Sequence, residues 1–84
     1  MSVIHPGLFL IMHRFPNNKD ALRRLYLTSH SFQTLCDDYQ KCKGALNHWM
    51  SSSHDQAAER SRDYHGLLHD LENEIEELLG VSGE

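Results

Sequence analysis

Seven of the 84 residues are histidine, and two of them stand four apart in His65-Gly66-Leu67-Leu68-His69. On a helix that spacing brings both imidazoles to one face, where they can share a zinc ion. The zinc-protease motif carries a glutamate directly after its first histidine, and this chain has Gly66 there. A complete site also needs a third ligand, from Asp38, from Cys42 or from a second chain. Two solvated histidines that fall four apart are the simpler reading, so no metal is assigned, and a zinc-binding helical module using His65 and His69 stays an alternative. His48 and His54 read as loop-end residues on either side of a serine turn.

Other chemistries lack their parts. Gly44 and Gly66 are isolated within helical patterns, so no glycine-rich loop cradles a phosphate. No serine or histidine is spaced into a nucleophilic triad. The carboxylates gather at one end of the chain and do not form an opposed acid/base pair. The only cysteines, Cys36 and Cys42, are six residues apart. On one helix their Cα atoms are about 9 Å apart, beyond disulfide reach. They read as small buried hydrophobes, a usage that suits a reducing cytoplasm. No catalytic residue, cofactor or small-molecule substrate follows from the sequence, and the chain reads as non-enzymatic.

A net charge of −4 attracts no nucleic acid. A short basic patch of Arg14, Lys19, Arg23 and Arg24, with Tyr26 beside it, could touch phosphates, which makes a weak nucleic-acid accessory role the second alternative. Pairing with the acidic run Asp70, Glu72, Glu74, Glu76, Glu77 and Glu84 accounts for the patch more economically. No apolar run approaches the roughly 18 residues of a membrane span. The opening MSVIHPGLFLIMHR lacks the basic start and cleavage site of a signal peptide, and Pro6-Gly7 interrupts it. Residues 1–14 are therefore expected to be a tail, with Met12 as an alternative start, or an arm whose Leu8, Phe9, Leu10 and Ile11 pack on a neighbouring chain.

The elements that position these residues are helices. Leu25, Thr28, Phe32, Leu35, Tyr39, Cys42, Leu46 and Trp49 alternate in steps of three and four, which is a heptad seam. The spacing predicts one helix over about 19–50, opened after Pro16 by Asn17 or Asn18. Ser51-Ser52-Ser53 interrupts it. A second helix over about 54–79 then aligns Tyr64, Leu68, Leu71, Ile75 and Leu78, and Gly80 stops it.

Joined by a short turn, the two should fold back antiparallel as a hairpin over 15–80, with 81–84 a C-terminal tail. The expected register sets Leu25 against Leu78, Phe32 against Leu71, Leu35 against Leu68 and Tyr39 against Tyr64. Leu22, Tyr26, Cys36, Trp49, Met50 and Leu67 lie off this seam. An apolar face wider than one partner helix covers belongs to a larger bundle. The expectation is a homodimer completing a four-helix bundle, a cytoplasmic module for self-contact or for an unidentified protein partner.

Residues 15–79 also resemble the YdcH-like family of small bacterial proteins. The resemblance rests on Phe15-Pro16, Lys19-Asp20, Leu22, Leu25 and Ser29-x-x-Phe32-x-x-Leu35. It continues through Asp37-Asp38, Leu46, Tyr64, Leu68, Leu71, Glu74-Ile75 and Leu78. The chain departs from the family at Ser31, where a second polar residue or a histidine is usual, and in its N-terminal segment. The resemblance implies a helical hairpin and no established reaction.

Overall fold

The computed structural model describes residues 5–80, and every regular element among them is a helix. Helix α1 spans Pro6–Arg14, and a 3-10 turn follows at Pro16–Asn18. Helices α2 (Lys19–Thr28), α3 (His30–Met50) and α4 (Ala57–Leu79) complete the chain. Among these residues there is no strand, and no helix is long and apolar enough to cross a membrane. The expected C-terminal tail, 81–84, lies outside the described residues.

Helices α3 and α4 run antiparallel across the turn at 51–56. Phe32, Leu35, Tyr39, Cys42 and Leu46 of α3 meet Leu68, Leu71 and Ile75 of α4 in one buried cluster. The register differs from the expected one by about a helical turn. Cys42 lies against the Tyr64 carbonyl at 3.4 Å, and Tyr39 reaches Glu72, so Tyr39 does not face Tyr64. Because α4 begins at Ala57, the turn is longer than the serine run suggests, and every pairing slides with it. Gly80 ends α4 in the left-handed conformation, φ +72°, as the C-cap pattern predicts.

The single long helix over 19–50 is divided at Ser29. This residue is extended (φ −126°, ψ 113°), and its Oγ accepts from the Phe32 N–H at 3.2 Å. The break is held from both sides, because the Gln33 side chain donates to the freed Tyr26 carbonyl at 2.6 Å. Side chains thus satisfy backbone groups that a continuous helix would have paired internally. Thr28 leaves the expected seam and is exposed. Beyond the break, α2 leans back and buries Leu22 completely.

The N-terminal segment is no tail where the structure describes it. Pro6 occupies the first helical turn, where its missing N–H costs nothing. Just before it, the His5 Nδ1 accepts from the Gly7 N–H at 2.9 Å. The neutral tautomer that satisfies both contacts carries its proton on Nε2, which donates to Asp37 at 2.6 Å. One face of α1 buries Leu8, Ile11 and Met12 against the hairpin. At about 1.5–3 kcal/mol for each buried side chain, this contact is a large share of what so short a chain can muster. Met12 is core, and Leu8 and Ile11 are seated in their own chain, whereas Phe9 is half exposed.

The resulting molecule is a slab of 42 × 38 × 21 Å with a radius of gyration of 13.9 Å. A compact domain of this length has a radius of about 12 Å. The extra spread comes from helices laid side by side in two thin layers.

Candidate functional site

Once α1 has docked, the residues expected at an interface separate into two groups. Leu22 and Cys36 are wholly buried within the chain and present nothing to a partner, which corrects their assignment. Tyr26 is partly covered, its ring 5.8 Å from that of His5. Trp49 is partly buried between the rings of His48 and His54, at 5.2 and 6.0 Å. Met50 and Leu67 remain open. Of the seam, Leu25 and Tyr64 are partly buried and Leu78 is 42 % exposed, while Phe32, Leu35, Tyr39, Leu46, Leu68, Leu71 and Ile75 are core. Leu27, which with Leu22 and Tyr26 widens the apolar face of the first expected helix, is at 79 % the most exposed large apolar residue described.

The open side chains that share a surface lie along α3 and α4. Thr34, Asp38, Lys41 and Ala45 recur at i, i+4, i+7 and i+11, on the side of α3 turned away from Cys36 and so from α1. Leu67, Leu71, Glu74 and Leu78 repeat the same spacing on α4. Between the two stripes runs an open trough. One end is formed by His30, Ser31, Leu35, Glu77 and Leu78, the other by Ala45, Tyr64, Leu67 and Leu71, and Asp38 borders both. The floor is leucine and tyrosine; the walls carry Asp38, Glu74 and Glu77 against the single cation Lys41. It is a groove and not a pocket, and it holds no convergent polar groups of the kind that orient a small ligand.

Outside the trough, a few ionisable groups hold helices together. Glu72 Oε2 accepts from the Tyr39 hydroxyl at 3.0 Å and from Arg14 Nε at 3.2 Å, tying α3, α4 and α1 at one carboxylate. Burial, then the hydrogen bond and charge of Glu72, push the Tyr39 hydroxyl well above its ordinary range. Burial, with a smaller contribution from Asp37, raises the Cys36 thiol from 9.0 to about 12. Cys42 is also raised by burial, with Lys43 opposing. Both thiols are free, buried and held in the protonated form, the opposite of a reactive cysteine. Among the described residues Arg14 is the one member of the basic patch that pairs with the acidic helix end; Arg23 pairs within its own helix, with Asp20 at 3.0 Å.

His65 and His69 are both exposed on α4. Among the described residues no three His, Cys, Asp or Glu side chains are grouped to hold a metal ion. Cys42, one of the suggested third ligands, is occupied with the Tyr64 carbonyl. No family model matches the chain, and no curated protein or solved structure is significantly similar to it. The groove is therefore interpreted on its own geometry.

Proposed function

We propose that this chain is a small non-enzymatic interaction module that forms a homodimer through the trough between α3 and α4. The observation that carries this reading is the alignment of Leu67 and Leu78. After α1 and α2 have filled the core, these two exposed leucines still stand in line on one surface, 48 and 42 % exposed. Scattered single leucines on a surface need no explanation, but aligned ones flanking a groove mark a contact.

The resemblance to the YdcH-like family, which implies a helical architecture without a reaction, agrees with this reading. So do the two free thiols, which favour a reducing, cytoplasmic setting. Sedimentation equilibrium tests the proposal. The wild type should run at twice 9.7 kDa at micromolar concentration, and a Leu67→Asp/Leu78→Asp variant should run as a monomer with its helix content intact. A wild type that stays monomeric at every accessible concentration overturns the reading.

A further inference from the structure

The trough has acidic walls, and α2 presents the complementary surface. Leu27, the most exposed of the large apolar residues described, lies between Arg23 and Arg24, which precede it by four and three residues and share its helix face. Arg23 is engaged by Asp20, but Arg24 donates no side-chain hydrogen bond and forms no ion pair among the described residues. This face carries Asp20, Arg23 and Arg24 with Leu27 near its C-terminal end, so Arg24 is its one uncompensated charge. Opposite in character is the end of the trough formed by Leu35 and Leu78, with Asp38, Glu74 and Glu77 around them.

The two surfaces are neighbours. Leu27 precedes the Ser29 corner, and His30 and Ser31, just past that corner, already line the trough. A two-fold axis beside this corner would lay the α2 face of each copy over the trough of the other, so that each contact is made twice and the assembly closes.

We infer that the occupant of the trough is α2 of a second copy, with Leu27 seated against Leu35 and Leu78 and Arg24 facing the Glu74/Glu77 wall. This rests on the self-association proposed above and specifies the surface used. A groove-to-groove dimer would bring two acidic walls together, which like-charge repulsion disfavours. Exchange of α1 is also disfavoured, because α1 is already seated in its own chain.

The experiment uses two variants altered only at exposed positions, Leu27→Asp and Leu67→Asp/Leu78→Asp, each checked for helix content by circular dichroism. Their masses are measured by sedimentation equilibrium, alone and mixed. Each variant alone loses both leucine contacts, about 2 kcal/mol each, and should associate roughly a thousandfold more weakly than the wild type. Mixed in equal amounts, they should form a heterodimer that keeps one of the two contacts, about thirtyfold weaker than the wild-type dimer and about thirtyfold tighter than either variant alone. Raising the salt concentration should weaken the wild-type dimer by screening the arginine and glutamate charges. A Leu27→Asp protein that dimerises like the wild type overturns this inference while leaving self-association standing. A wild type that is monomeric overturns both. Two variants that associate no more tightly when mixed than when alone refute the reciprocal pairing.

Discussion

Replacing Gly7 with alanine would place a Cβ 2.7 Å from the Cys36 carbonyl carbon and closer still to its oxygen, where ordinary contact begins at 3.4 Å. Both atoms belong to the backbone of α3, so no side chain can swing aside. Helix α1 must instead lift by close to 1 Å, and a gap of that size forfeits about a quarter to a half of the attraction between packed atoms. Leu8, Ile11 and Met12 ride on the same helix, each with about 1.5–3 kcal/mol of burial at stake. Taken with the usual 1–3 kcal/mol for overpacking, and less the better helix propensity of alanine, the net loss is about 2–3 kcal/mol.

In a domain of this size that lowers Tm by roughly 10–20 °C. The control is Gly44→Ala. Gly44 is exposed within α3 and a Cβ there meets nothing within 4 Å. The same substitution should stabilise the protein at that site by about 0.5–1 kcal/mol. Urea or thermal denaturation followed by circular dichroism at one fixed protein concentration measures both. If Gly7→Ala is as stable as the wild type while Gly44→Ala shows its gain, then α1 does not lie on the backbone of α3, and the account of the core is wrong.

Alkaline pH should destabilise the fold. Cys36 keeps its proton up to about pH 12 when folded but releases it near pH 9 when unfolded. Between those values the unfolded state binds fewer protons and gains, at about 1.4 kcal/mol per pH unit, or roughly 2 kcal/mol by about pH 10.5. Tyr39 and Cys42 are shifted in the same direction. Cys36→Ala should therefore flatten the fall without abolishing it, and a pH-independent urea midpoint across this range would contradict the buried thiol. Ser29→Ala should cost about 1 kcal/mol through loss of the N-cap bond to Phe32. Were α2 and α3 one continuous helix, the same change would stabilise the protein by a few tenths of a kcal/mol, so the sign of the urea-midpoint shift decides between the two.

The heptad arithmetic found the buried rows of α3 and α4 because period and burial are coupled along any helix that packs on one side. From Phe32 to Leu46 every residue of the seam is core. It could not find the corner at Ser29, since a serine in a helical pattern looks the same whether its hydroxyl points to solvent or caps a new helix. Only the Gln33 side chain, reaching back to Tyr26, distinguishes them. The register was wrong for a related reason. The residue at which α4 begins sets every cross-chain pairing, and Ser52, Ser53 and Gln56 are all plausible starts.

Helix α1 carried visible signs: Pro6 at a first turn, and Leu8, Ile11 and Met12 at spacings of three and four. Pro6-Gly7, taken as a break in the apolar run, is instead the first turn of the helix. The cue that settles its place is Gly7, whose missing side chain matters only when another backbone lies against it.

A helical hairpin has two open flanks, and the width of its apolar stripe says how much must be covered without saying by what. Leu22, Cys36 and Leu67 all lie off the seam, and the sequence treats them alike. Folding separates them: α1 and α2 close over the first two, on one flank, with apolar atoms from the same chain. On the other flank the row Thr34, Asp38, Lys41 and Ala45 cannot bury itself against a second α1, because its polar side chains would lose water with no partner. What fits such a row is a helix that brings a leucine for the floor and cations for the walls. Leu27 and Arg24, both exposed, are what the proposed pairing with a second copy would bring to that row.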